Sequence, residues 1–371
     1  MESWNPKRLV LVPRAVRALP ILVLAAVLGC GGPAVEPRFD GPTADWPSWG
    51  RDPGGQRWSP LDQIDRDNVH ALAPAWVYRT GHSELSSRSM TFQATPILVA
   101  GNLVFCTPLN RVIALDPETG GERWSFDPAI DRDVGYANQY TCRGVSQWRD
   151  PQAAPGSACA TRILTATNDG RLIAIDAGDG SLCAGFGAGG EVDLKLGVGD
   201  LAYPGEYQVT SPPAIFRDLV VTGSAVGDNS RIDAPSGVVR AYDARDGALR
   251  WAWDPLPPDL EAPPAVTGGD GAWHLGTPNV WAAISVDEEL GLVYLPTGNP
   301  SPDYYGGLRG GSDTYGSSVV ALDGATGEVV WSFQTVHHDL WDFDVPAQPT
   351  LVDLPRTGGA VPALVQATKM G

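Results

Sequence analysis

Short apolar runs alternate with compact polar turns along most of this chain, and one such phrase returns four times. It reads Ala, one residue, Asp, three residues, Gly, three residues, then usually Trp. The copies are Ala114-Asp116-Gly120-Trp124, Ala174-Asp176-Gly180, Ala241-Asp243-Gly247-Trp251 and Ala321-Asp323-Gly327-Trp331. Ala184 stands where the second copy would carry its Trp. Each copy opens on an apolar run that predicts a strand, at 111–115, 171–175, 238–242 and 318–322. Asp can then hydrogen-bond its own backbone and Gly accepts a positive φ, which closes a tight turn. A second strand leaves the turn carrying the Trp. Period-two alternation puts the Ala and the Asp on one face. The small Ala leaves a slot for the Trp of a neighbouring sheet, and the indole N–H needs a polar partner, which a turn carbonyl supplies. Strand–turn–strand units repeated at this length predict the blades of a β-propeller, an all-β fold.

The four copies and a partial unit around Trp76 make up roughly half to two-thirds of a ring. Residues 366–371 read as an apolar strand running into a turn, so the expectation is an incomplete propeller from a truncated reading frame. An open ring leaves a sheet edge and an apolar flank. Composition agrees with strands and turns: 371 residues include 44 Gly, 33 Pro and 13 Trp. No segment reads as a long amphipathic helix. The net charge of −17 argues against nucleic acid, whose phosphates need a basic surface, and suits the solubility of an exported protein.

The N-terminus reads as an export signal over 1–29. Lys7, Arg8, Arg14 and Arg17 form a positive region, followed by an apolar stretch at 18–29 that is too short to span a membrane. Gly29-Cys30 resembles a bacterial lipobox, with Val27 and Leu28 before it, so Cys30 is the expected lipidation site and 30–44 a flexible tether. Export permits disulfides. Cys159 and Cys183 flank the unit at 161–176, and hairpin geometry favours that pair; the alternative is unpaired buried thiols. No C-x-x-C-H occurs, so no covalent haem is carried.

Propeller chemistry sits on the loops near the axis, and three stretches stand out: 223–229, 277–281 with 296–300, and 337–344. Asp228, Asn299, Asp342 and Asp344 are hard oxygen donors, a set suited to Ca²⁺ or Mg²⁺ rather than zinc. In an extended segment Asp342 and Asp344 point to one face, where two carboxylates repel unless a cation or proton lies between them. His337 and His338 read as loop structure or substrate contacts rather than metal ligands.

Over 45–371 the chain resembles the pyrroloquinoline quinone (PQQ) dependent dehydrogenases, nearest the membrane glucose/quinate/polyol dehydrogenase branch. The resemblance is carried by DWPSWGRDPGGQRWSPLDQI at 45–64, TCRGV at 141–145, TSPP at 210–213, GTPNVW at 276–281, TGNPSPD at 297–303, HHDLWDFDVPAQPTL at 337–351 and QATKMG at 366–371. It implies an eight-bladed propeller with PQQ near the axis. It implies Asp342 as catalytic base, and Asp228 and Asn299 as metal ligands. Trp281 would stack on the quinone, Arg143 and Thr210 would contact PQQ, and Lys369 would supply a cation beside the quinone oxygens. Asp344 falls where lanthanide-using alcohol dehydrogenases carry an additional Asp, although the sugar branch has one there too.

Departures qualify this. No adjacent Cys pair precedes Arg143, unlike the methanol dehydrogenase branch, and Gln139 stands close to where some sugar dehydrogenases carry a His. A lipid on Cys30 would take the place of a helical membrane domain. The function implied is oxidation of a sugar, polyol or cyclic alcohol in the bacterial periplasm, with electrons passing to a membrane quinone or a cytochrome. The rival reading is a non-catalytic propeller lipoprotein scaffold, which has no use for Asp228, Asn299 or the Trp-Asp-x-Asp segment. A third is an inactive fragment of the enzyme.

Overall fold

The computed structural model describes residues 45–81, 90–257, 260 and 273–371. The expected export signal, Cys30 and the tether to residue 44 lie outside them. Four antiparallel four-stranded sheets follow one another along the chain. The first blade holds Ile97–Val99, Asn102–Cys106, Val112–Leu115 and Glu122–Phe126; the second Ser146–Arg149, Thr161–Ala166, Arg171–Asp176 and Glu191–Asp193. The third holds Ala214–Phe216, Leu219–Thr222, Val239–Asp243 and Leu249–Trp253; the fourth Ser285–Asp287, Leu292–Pro296, Ser318–Asp323 and Val329–Gln334. A hairpin, Thr350–Arg356 with Gly359–Val365, packs on the fourth blade through Leu351 and Leu364. The opening strands of the second, third and fourth blades and of the hairpin lie side by side. Apolar side chains of consecutive sheets meet in separate cores, first with second, second with third, and third with fourth. The sheets do not close into a ring: Val330, Trp331 and Phe333 of the fourth blade's outer strand are exposed.

The repeat explains how blades join. In each copy the Asp carboxylate accepts backbone N–H groups inside its own turn, as Asp116 Oδ1 does from Glu118 and Thr119 at 2.9 Å. The turn glycine takes positive φ, 76° at Gly327. A Cβ there would stand 2.6 Å from the Trp251 ring of the preceding blade, and one at Gly180 would stand 2.7 Å from Trp124. The neighbouring Trp therefore lies on the glycine, not in a slot beside the Ala; Ala114 and Ala241 face Trp124 and Trp251 across their own sheets. The indole N–H does reach a turn carbonyl, Trp124 to Ala177 O at 3.1 Å and Trp251 to Gly324 O at 3.0 Å. Trp76 bonds Pro117 O in the same way, but the segment around it contributes no strand, so the partial fifth unit is the C-terminal hairpin. The copy without a Trp is served differently. The carbonyl after Asp243, that of Ala244, accepts from buried Arg162 Nη1 at 2.8 Å.

Two disulfides are present among the described residues. Cys159–Cys183 is the expected pair, and Cys106–Cys142 was not legible from spacing. The segment from Trp46 to Gly54 crosses the opening strands of separated blades. Trp46 O accepts from Leu98 N, Pro53 O from Val286 N and Gly54 O from Leu351 N.

Candidate active site

Connections from every blade surround one cavity of about 330 Å³. Thr141 and Arg143 come from the link between first and second blades, and Thr210 from the next. Asp228 lies on a loop inside the third blade, Asn279 and Trp281 on the link to the fourth, and Asp303 on a loop within the fourth. Asp342, Asp344 and Lys369 follow it. Small backbones allow this approach: a Cβ at Gly223 would stand 2.2 Å from Val280 O.

One side of the cavity is acidic. Asn279 Nδ2 donates to Asp228 Oδ2 at 2.8 Å, and Asp303 N to Asp228 O at 3.3 Å. The Asp228 and Asp303 carboxyls lie close enough for each to act on the other. Burial, with the charges of Asp228, Asp342 and Asp344, pushes Asp303 up to about 9. Burial lifts Asp228 to about 6 and raises Asp344 as well. Asp303 Oδ1 and Asn279 Oδ1 are buried with no hydrogen-bond partner.

Lys369 answers part of this charge. Its Nζ lies 3.1 Å from Asp342 Oδ1 and 2.5 Å from Asp344 Oδ1, and donates to Asp342 O at 2.7 Å. Burial alone would lower the lysine, but the two carboxylates outweigh it and its pKa is raised. Asp344 is fixed from its other side by Trp281 Nε1 at 2.6 Å. Asp342 has a left-handed backbone, φ 56°. The two acids therefore do not lie on one extended run as the alternation predicts; they meet through the lysine. Across the cavity, the Arg143 guanidinium lies 5.1 Å from the Trp281 ring centre and donates to Thr210 Oγ1 at 2.5 Å. Burial pushes it down to about 10, and no carboxylate pairs with it among the described residues.

Asp228, Asp342, Asp344, Trp281, Arg143, Thr210 and Lys369 are thus brought together. Asn299 does not line the cavity. Its Oδ1 lies 2.7 Å from Ser317 Oγ, which is 2.8 Å from Asp339 Oδ2, and its Nδ2 has no partner. One hydroxyl proton cannot serve two oxygens. Turning the amide over, with nitrogen donating to Ser317, satisfies both contacts and frees the Asn299 oxygen. His337 and His338 bond Gln334 and Asp313 and stay off the cavity. Sequence reasoning did not single out Asp303 or Asn279, although both lie inside stretches it quoted, TGNPSPD and GTPNVW. Among the described residues no three His, Cys, Asp or Glu side chains form a metal-ligating group by themselves.

The family described as "PQQ: Glucose/ethanol/alcohol dehydrogenase, beta-propeller domain" matches residues 46–371. The quinoprotein glucose dehydrogenase of Escherichia coli (strain K12) is 42% identical over 346 residues, 91% of this chain and 42% of its own length. The quinate/shikimate dehydrogenase (quinone) of Acinetobacter baylyi is 40% identical over 345 residues, 88% of this chain and 42% of its own. The crystal structure of quinohemoprotein alcohol dehydrogenase from Comamonas testosteroni aligns with a TM-score of 0.71 at 29% identity, covering 88% of this chain and 46% of that one. The chain spans less than half the length of these relatives. A match running through all four blades and the hairpin, with relatives of this identity, makes the chain a member of the PQQ-dependent glucose/ethanol/alcohol dehydrogenase β-propeller family.

Proposed function

We propose that this chain carries the cofactor site of a PQQ- and divalent-metal-dependent dehydrogenase that oxidises a sugar, polyol or cyclic alcohol. The observation that carries the reading is the convergence of Asp228, Asp342, Asp344, Trp281, Arg143 and Lys369 on one cavity. Relatives named for glucose and quinate support a small polyhydroxylated substrate. Electrons pass to a membrane quinone or a cytochrome. The export signal and Cys30 support a periplasmic protein held to a membrane by lipid.

The residues fit both groups. A half-buried guanidinium without an anion, beside a flat indole, suits a planar molecule bearing carboxylates. The acidic side offers only oxygen donors, and the unpartnered Asp303 Oδ1 and Asn279 Oδ1 accompany Asp228 there. Four carboxylates against one lysine leave a negative excess that Ca²⁺ or Mg²⁺ compensates. The reading gives Asp228, Asp342, Asp344 and the freed oxygen of Asn299 to that ion, with Asp303 and Asn279 beside them.

PQQ, when bound, supplies the two-electron acceptor for the carbinol hydride. Asp342 takes the hydroxyl proton as general base. Its side chain is the more exposed of the two acids on Lys369. Asp344, held by Trp281 and Lys369, positions that pair. Lys369 also places positive charge where negative charge develops during hydride transfer. Thr210 and the Trp281 carbonyl aim Arg143.

The test is reconstitution. Purified protein given PQQ and Ca²⁺ or Mg²⁺ reduces a redox dye when supplied with an aldose, a polyol or quinate. Absence of PQQ binding, followed by quenching of tryptophan fluorescence, removes the reading.

A further inference from the structure

The stretch that gives Asn138, Gln139, Thr141 and Arg143 to the cavity belongs to no blade. It links Glu122–Phe126 of the first blade to Ser146–Arg149 of the second. Scattered contacts rather than a sheet hold it: a three-residue parallel pairing of Tyr140–Cys142 with Met90–Phe92, Ala137 N to Gly205 O at 2.9 Å, Asn138 N to Gln208 Oε1 at 2.7 Å, Thr95 N to Arg143 O at 3.1 Å, and Arg143 N to Thr210 O at 3.0 Å. Its one covalent tie among the described residues is Cys106–Cys142. Cys142 lies between Thr141 and Arg143, Cys106 ends the second strand of the first blade, and both are buried in the core between the first two sheets.

Arg143 is a half-buried cation with no anionic partner, while four carboxylates line the same cavity. Opposite charges across a partly desolvated gap attract strongly. A loose wall would let Arg143 close onto Asp342 or Asp344, and that ion pair would occupy the volume a ligand needs. We propose that the Cys106–Cys142 disulfide is a positioning device that holds Arg143 away from the acids and keeps its guanidinium open for a carboxylate-bearing ligand. The identity of that ligand as PQQ rests on the function proposed above; the mechanical role of the disulfide does not. Neither sulfur touches the cavity, so both cysteines are positioning residues. Cys159–Cys183 ties parts of the second blade together, lines no part of the cavity, and serves as the internal control.

The experiment compares Cys106→Ala with Cys142→Ala against Cys159→Ala with Cys183→Ala, both in the full chain. Thermal stability falls in both, so stability does not discriminate. PQQ affinity, from tryptophan quenching, weakens roughly tenfold or more in the first variant and stays within about twofold in the second. Hydrogen exchange needs no ligand: the Thr95 and Arg143 amides lose protection in the first variant alone. Unchanged PQQ affinity in the first variant, or an equal loss in both, overturns the proposal. If the native protein binds no PQQ, the cofactor reading falls and exchange alone decides here, with unchanged protection at Thr95 and Arg143 overturning the positioning role. Should the alanine pair not fold, Cys106→Val with Cys142→Ala restores buried volume and carries the same readouts.

Discussion

The seam between the first two blades and the axial cavity each hold an indole that donates to oxygen, and they end in opposite conditions. At the seam Trp124 reaches a neutral carbonyl, Ala177 O, and its ring covers Gly180. That contact satisfies the indole N–H and needs nothing further. At the cavity Trp281 reaches a carboxylate, Asp344. Around it stand three more acids, one lysine, an arginine without an anion and two unpartnered buried oxygens. Buried polar groups are normally satisfied, and a region that leaves several unsatisfied suits the cation and the carboxylate-bearing cofactor proposed for it. The same side chain closes a structure in one place and opens a site in the other.

That contrast can be broken or sharpened by substitution. The largest effect falls on chemistry. Asp342→Asn lowers dye-coupled turnover about 10²–10⁴-fold while PQQ still quenches tryptophan fluorescence; equal rates would remove Asp342 from the reaction. Next comes the seam. Trp124→Ala costs about 3–5 kcal/mol in urea unfolding, because a buried indole is lost from a packed interface, and a loss confined to PQQ affinity would contradict its purely structural role. Asp303→Asn works in the reverse direction. Removing one of four crowded carboxylates raises the melting temperature of metal-free protein and shrinks the rise produced by added Ca²⁺; a lower metal-free melting temperature would show that the acids are not in conflict. The smallest effect is at Trp76. Trp76 covers Gly120 from a segment without strands, so Trp76→Ala costs only about 1–2 kcal/mol.

Blade order was legible because each unit states its turn locally. Asp and Gly at fixed spacing set the backbone, and the observed strands begin and end within about a residue of the apolar runs. The acids and the indole around the cavity were legible as residue types suited to a hard cation and a flat molecule. What was hidden depends on distance. Spacing does not reveal that Cys106 of the first blade faces Cys142 of the link to the second, because connectivity is a property of the folded chain. Asp303 looks like any loop acid until the fold sets it against Asp228. Arg162 replaces an absent indole from a different strand and in a different chemical guise, so no repeat alignment finds it. The slot beside Ala was misjudged because alternation gives the face of a strand but not which residue of the next sheet arrives there.

The crossing of residues 46–54 over the opening strands bears on how the molecule is assembled. Gly54 hydrogen-bonds Leu351, so a bond at the axis joins the start of the described chain to its final hairpin. Blades made of neighbouring strands can form in order during synthesis, and Trp46 meets its partner Leu98 in the first of them, but Pro53 and Gly54 have no partners until the fourth blade and the hairpin have been made. The far end of the strap then settles after the first three blades, and a chaperone or protease would meet it as loose polypeptide while those sheets are already firm.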